Sequence, residues 1–241
     1  TNGLCFDAQG NLYGCQAAGR RIVRFEKDRS TTISLPHLLE GKQHNNPNDL
    51  AVDQEGRVWF TDPFNASAGD QELDHMSVLR LDPKGSDQWE LTRATHDVSR
   101  PNGVLISRDQ KTLYVAQSDY SPDRPRQLRA YPIDDHGSLG DYVTLHTFGI
   151  DHRGVQRGVD GMTLDAEGNI VVCAGWEQSG PGPIIYVFAP TGRILETHAL
   201  RVDRPTNCCF GDPDMKTLYV TTGGGHLLRA RTDRTGWIMW P

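Results

Sequence analysis

NDLAVDQEGRVWFT (residues 48–61) decides the fold. It opens on a carboxamide, runs through an apolar strand, turns on Asp53 and Gly56, and returns as a second apolar strand. The same grammar recurs as NGLCFDAQGNLYGC from Asn2, NGVLISRDQKTLYVA from Asn102, DGMTLDAEGNIVVC from Asp160 and NCCFGDPDMKTLYVT from Asn207. Successive copies are offset by 46, 54, 58 and 47 residues, the period of a propeller blade rather than of a helical repeat.

Each hairpin is followed by an alternating segment: RRIVRF (20–25), SVLRLD (77–82), QLRAYP (127–132), IIYVFAP (184–190) and HLLRAR (226–231). Outer strands are expected at TTISL, QWELT, YVTLHTF, RILETHAL and, in the fifth copy, TGWIMW (235–240). Alternation of period two means strands in packed sheets. Helix signals are scarce, and 25 glycines and 14 prolines punctuate the chain at turn spacing. The expectation is one all-β propeller domain over residues 1–241, its repeats opening near 2, 48, 102, 160 and 207.

The turns explain themselves. In DAQG, DQEG and DAEG, Asp7, Asp53 and Asp165 cap the turn through their own side chains, and glycine takes the positive φ that closes it. An Asx-turn accounts for these carboxylates, so they are set aside as catalytic candidates.

Composition narrows the partners. A formal charge of −6 provides no basic patch, which speaks against nucleic acid and anionic membrane. No apolar run is long enough to span a membrane, and no signal peptide is visible, although the chain begins inside a repeat. The five cysteines form neither a CxxC pair nor zinc spacing and read as buried apolar residues in a reducing, cytoplasmic setting. The nine histidines form no HxH or HExxH pattern, and no GxSxG nucleophile elbow is present.

Function is sought on the propeller axis. In such folds the first residue of each innermost strand faces the central channel, so the repeat gathers Asn2, Asn48, Asn102, Asp160 and Asn207 into one ring. A lone Asx at a strand entrance satisfies backbone groups. Five converging on an axis form a cage of oxygens that suits a hard divalent cation such as Ca²⁺, Mg²⁺ or Mn²⁺ better than zinc. Asp160 is the one charged member, and the only one able to accept a proton.

NNPNDLAVDQEGRVWFTDP (45–63), RPNGVLISRDQKTLYVAQSD (100–119), GVDGMTLDAEGNIVVCAGW (158–176) and PTNCCFGDPDMKTLYVTTGGG (205–225), in that order, resemble the senescence marker protein/gluconolactonase (regucalcin-like) family. The resemblance runs through nearly the whole chain. It implies a six-bladed propeller, here with five blade repeats and the first blade missing, acting as a lactonase. One divalent ion is implied in the channel, Ca²⁺ first, with Mg²⁺, Mn²⁺ and Zn²⁺ as alternatives. Asn102 and Asp160 match the family's metal ligands, Asn48 matches the Asn that completes the shell or contacts substrate, and Asp160 also matches the general base. The family's first blade carries an EGP-like Glu as a second metal carboxylate, and no such segment occurs in this sequence.

The implied partner is a small lactone, acted on by a monomer or dimer, with contacts from loops at the channel mouth. Asn46 stands where relatives carry a substrate-contacting side chain. Asp62, Gln117 with Ser118, and Trp176 stand at hairpin exits, and Asn207 completes the ring. Asp62 can equally cap its own turn, and Trp176 can simply pack. Two other readings share the repeat: a non-enzymatic ligand-binding propeller with a structural cation, and a phosphotriesterase-like or glycan-cleaving propeller. A glycosidase needs two carboxylates flanking the bond, and the ring has one.

Overall fold

The computed structural model describes residues 1–26, 31–66, 69–85 and 88–240. Five antiparallel sheets follow one another along the described chain. The first three are four-stranded meanders, and the fourth is such a meander with a fifth strand added at one edge. Blade one is Leu4–Phe6, Leu12–Gln16, Arg21–Phe25 and Thr32–Ser34; blade two is Leu50–Val52, Val58–Asp62, Ser77–Pro83 and Trp89–Arg93. Blade three is Pro101–Ile106, Thr112–Ser118, Arg126–Pro132 and Val143–Phe148; blade four is Val159–Asp165, Ile170–Trp176, Ser179–Phe188 and Ile194–Ala199. Blade five has three strands, Pro205–Gly211, Thr217–Thr222 and Leu227–Arg231. Two-stranded hairpins at Leu38–Leu39/Lys42–Gln43 and Ile150–Asp151/Gly154–Val155 lie between blades. The all-β expectation holds, with five blades among the described residues.

Sheets stacked face to face bury both surfaces of a strand, and Val58–Asp62 shows the consequence: all five residues are buried. Val58 and Phe60 enter a core shared with Tyr13, Cys15 and Ile22 of blade one. Trp59, pointing the other way, enters a core shared with Val104, Leu113 and Val115 of blade three. Two further clusters join blades three to four and four to five. Each fully buried Val, Leu or Phe side chain contributes about 1.5–3 kcal/mol, so the cohesion lies between blades rather than at their rims.

The inner strands pack in sequence, Leu4–Phe6 on Leu50–Val52, that on Pro101–Ile106, then Val159–Asp165, then Pro205–Gly211. The Asx-turns form as expected. Asp7 Oδ1 accepts the N–H groups of Gln9 and Asn11, Asp53 those of Glu55 and Arg57, and Asp165 those of Glu167 and Asn169. Gly10, Gly56 and Gly168 close these turns at φ of 77°, 76° and 84°.

One strand is placed otherwise than expected. The segment 235–240 does not complete blade five. Gly236–Trp237 pairs antiparallel with Leu164–Asp165 on the inner edge of blade four. Trp237 packs against the core between blades three and four and lies under the Arg108 guanidinium, 5.8 Å from ring to Cζ. Half-burying Trp237, Met239 and Trp240 there outweighs pairing the segment at a solvated rim.

Candidate active site

In blades three, four and five the inner strand is irregular at the ring residue. In blade three Pro101 pairs with Gln117 and Val104 with Val115, so one extra residue is inserted on the inner strand around Asn102 and Gly103. Blade four repeats this around Asp160 and Gly161, where Val159 pairs with Ala174 and Met162 with Val172. Blade five shifts between Pro205 and Asn207. A β-bulge twists the strand and re-aims a side chain, and here it sits at the Asx residues. Asx-Gly at the start of an apolar strand was the available sequence signal.

The same glycines let the strands approach. A Cβ on Gly103 would fall onto the Asp160 carbonyl, and one on Gly161 would occupy the place of the Asn207 carboxamide. Asn102, Asp160 and Asn207 are thereby brought into succession on adjacent blades. Asn2, Asn46, Asn48 and Asn102, with Arg100 and Tyr120, line a pocket of about 230 Å³ on one side of the ring. On the other side, a second space of about 350 Å³ is lined by Asp49, Asn207 and the segment Trp237–Trp240. A larger groove of about 980 Å³ between blades four and five contains none of the ring residues.

Asp160 is the focus of the ring. Arg157 donates to its Oδ2, and the Asn102 side chain is also hydrogen-bonded to it. Burial raises its carboxyl to about 6, and Arg157 and Asn102 oppose that rise. Arg157 is itself buried and donates from Nη1 to the carbonyls of Gly175, at 3.2 Å, and Pro205, at 2.8 Å. One guanidinium therefore fixes the carboxylate and ties blade four to blade five. Sequence reading missed Arg157, which stands three residues before Asp160; Arg204 has the same offset from Asn207.

The remaining expected residues divide into those on the pocket wall and those behind it. Asn46 lines the pocket, and both ends of its carboxamide are engaged: Nδ2 donates to Ala17 O at 3.2 Å, and Oδ1 accepts from Asn65 N at 2.7 Å. Asp62 is fully buried, and its Oδ2 accepts from Asn45 N at 2.7 Å, holding the loop that leads to Asn46. Gln117 is buried, and its Oε1 accepts from Ser99 N at 3.0 Å and Arg100 N at 3.2 Å. Trp176 stacks on Tyr120, centroids 5.4 Å apart and planes 24° apart, and donates from Nε1 to Ser179 Oγ at 2.7 Å. Asn207 caps Cys208 N at 2.8 Å and lines the far space.

A second carboxylate also escaped the sequence reading. Asp49 occupies the place that holds glycine in three copies. Its Oδ1 accepts from Leu50 N at 3.0 Å and its Oδ2 from Val104 N at 3.4 Å, stapling blade two to blade three. Burial raises its carboxyl to about 7, the two N–H groups oppose that rise, and the Asp160 charge adds to it. The signal lay in the exception: a charge where the repeat has Gly.

A model of the SMP-30/Gluconolactonase/LRE-like region matches residues 1–224. The chain belongs to that family. Among its relatives is a gluconolactonase from Zymomonas mobilis, 31% identical over 98% of this chain and 64% of its own length. Another is a regucalcin from Xenopus laevis, 31% identical over 81% of this chain and 60% of its own. The chain thus spans about two thirds or less of the length of these relatives. A solved structure described as a gluconolactonase from Xanthomonas campestris superposes with a TM-score of 0.76, at 33% identity, covering 96% of this chain and 72% of that one. The neighbours confirm the propeller. No helix of the described residues is long and apolar enough to cross a membrane.

The family implies a divalent cation, and the donor chemistry at the ring can be compared with that need. Asn102 Oδ1 is buried without a hydrogen-bond partner beside the Asp160 carboxylate, and Asn48 lines the same pocket as Asn102. Carboxamide and carboxylate oxygens are what a hard cation takes. The set is sparse in charge, since Arg157 already holds one oxygen of Asp160. Among the described residues no three His, Cys, Asp or Glu side chains gather into a metal cluster. The residues fit an oxygen-coordinated cation resting on one anionic ligand.

Proposed function

We propose that this protein is a metal-assisted hydrolase of sugar lactones, with Asp160 as general base. Asn48, Asn102 and Asp160 would hold the cation, Ca²⁺ first. The observation that carries the reading is the setting of Asp160. It is the single carboxylate of the ring, raised by burial and hydrogen-bonded to Asn102 of a carboxamide-lined pocket, in a chain whose relatives include a gluconolactonase.

A lactone opens when water adds to its carbonyl carbon and the ring oxygen leaves. The cation, when bound, supplies Lewis-acid polarisation of a carbonyl. Asp160 takes the proton that the attacking water loses. Arg157 on Oδ2 directs that proton to Oδ1 and keeps the carboxylate charged until it arrives. Burial brings its carboxyl up towards neutrality while Arg157 and Asn102 favour the charged form, so the base is charged yet close enough to neutral to accept. The same proton then passes to the ring oxygen as its bond to the carbonyl carbon breaks, leaving an open hydroxy acid. Asn46 on the pocket wall faces the sugar, while Asp62, Gln117 and Trp176 serve by holding the loops and the Tyr120 ring around it.

The test is hydrolysis of glucono-1,5-lactone and a small lactone panel by the purified chain, before and after EDTA and with Ca²⁺, Mg²⁺, Mn²⁺ or Zn²⁺ restored. EDTA is expected to abolish turnover, and Asp160→Asn to lower kcat about 10²–10⁴-fold. Near-native rates in Asp160→Asn with metal still bound would refute the base. A folded chain that binds metal but turns nothing over supports the ligand-binding propeller, the reading favoured by the prior pairing of Asp160 with Arg157.

A further inference from the structure

Among the described residues that line the channel-mouth pocket, five are asparagines and one is charged, Arg100. Its backbone is pinned on both sides: Gln117 Oε1 accepts its N–H, and its carbonyl accepts from Ser118 N at 2.9 Å. Its guanidinium lies over the ring of Tyr120, 5.9 Å from Cζ to centroid, and that ring is backed by Trp176. Trp176 is in turn anchored on Ser179. The side chain is thus held in a defined place by a stack of two aromatic rings.

The guanidinium is nevertheless unspent. It is exposed, and among the described residues it makes no hydrogen bond or ion pair. The nearby Asp119 carboxylate feels its charge, but accepts instead from Ser99 Oγ and Ser121 N, each at 3.0 Å. Arg157, the other arginine of the site, is wholly committed to Asp160 and two carbonyls. An arginine carries five donors in a planar fork that matches an oxyanion bidentately. Arg100 stands two positions before Asn102, at most about 7 Å of backbone, so an anion on Arg100 lies within one small molecule's length of the ring.

We propose that Arg100 binds an anionic group, carboxylate, phosphate or sulfonate, carried by the lactone at the end away from its carbonyl. Acidic aldonolactones are then the preferred substrates over neutral ones. This rests on the lactonase reading above, and deepens it by naming the substrate class.

The experiment compares kcat/KM for glucono-1,5-lactone with that for its 6-phospho, 6-sulfo and 6-carboxylate counterparts, in the native chain, Arg100→Gln and Arg100→Lys. The native chain is expected to favour at least one charged lactone by about tenfold or more. That ratio should collapse in Arg100→Gln, survive in part in Arg100→Lys, and shrink with added salt. The three anions distinguish which group is taken. A native ratio near one, or a ratio that Arg100→Gln leaves intact, overturns the proposal and returns Arg100 to surface packing on Tyr120. If no lactone is hydrolysed, the lactonase reading fails by itself. Arg100 is then judged by calorimetry with glucose 6-phosphate against glucose: tighter binding of the phosphate ester that Arg100→Gln removes upholds the anion site, and equal binding overturns it.

Discussion

Gly103→Ala is the sharpest test of how the ring is assembled. A Cβ at this position would lie 3.1 Å from the carbonyl carbon of Asp160 and 3.2 Å from Gly161 Cα, with the carbonyl oxygen nearer still. Real Cβ atoms essentially never come within 3.0 Å of another heavy atom. With a C=O bond of about 1.23 Å aimed at the methyl group, the strands must part by roughly 1 Å. The neighbour is backbone in a packed inner strand, so no flexible side chain can yield. Overpacking of this kind costs about 1–3 kcal/mol. In a chain of this size that is about 2–4 °C in Tm per kcal/mol. The displacement falls between Asn102 and Asp160, and a misplacement of about 1 Å can lower a rate by about 10²-fold. The assay is thermal unfolding with kcat/KM on glucono-1,5-lactone, using Gly149→Ala as control. A Cβ on Gly149 meets nothing nearer than 4.0 Å, so that variant should match the native chain. Native stability and native rates in Gly103→Ala would falsify the close approach of blades three and four, and with it the geometry of the ring.

Three further outcomes follow from the same structure. Burial raises the Asp62 carboxyl to about 7 from 3.8, against the opposing Asn45 N–H and Arg20. The folded-state value therefore lies above the unfolded one, so its contribution is fully present below pH 3.8 and is lost as pH rises towards 7. Relative to the native chain, Asp62→Asn should gain stability between pH 4 and pH 8 by an amount on the order of 4 kcal/mol, and parallel denaturation curves across that range would refute the assignment. Arg157→Met leaves Asp160 unpaired and should cost about 3–5 kcal/mol, while Arg157→Met with Asp160→Asn should recover much of it; additive losses in that double-mutant cycle would show that the two are not coupled. Gln117→Ala strips the acceptor from Ser99 N and Arg100 N and should cost about 1–3 kcal/mol by chemical denaturation, against little change if water replaces the side chain.

Much of the fold was legible because its causes are local. Asp7, Asp53 and Asp165 cap turns within four residues of themselves, and the period-two strands need only a neighbouring sheet to bury them. Asp160 was legible as the odd charge in a ring of carboxamides, since a repeat puts equivalent positions side by side. Arg157 and Asp49 were not, because each also bonds a neighbouring blade, Arg157 the Pro205 carbonyl and Asp49 the Val104 N–H, and the sequence does not say which blades meet. Gln117 and Asp62 stand at hairpin exits as expected, yet which groups they meet depended on the loops 99–100 and 44–46 folding back over them.

The sequence by itself determined the blade period, the turns, the order of the strands and the single anionic member of the ring. Those follow from residue chemistry acting over a few positions and from repetition. The tertiary structure alone decided that Arg157 pairs with Asp160, that Arg100 stands uncommitted at the pocket, and that residues 235–240 turn inward to blade four instead of completing blade five. Each of these depends on which groups neighbouring blades and loops bring together. Its outcome rests on desolvation and packing between blades, which no local pattern encodes.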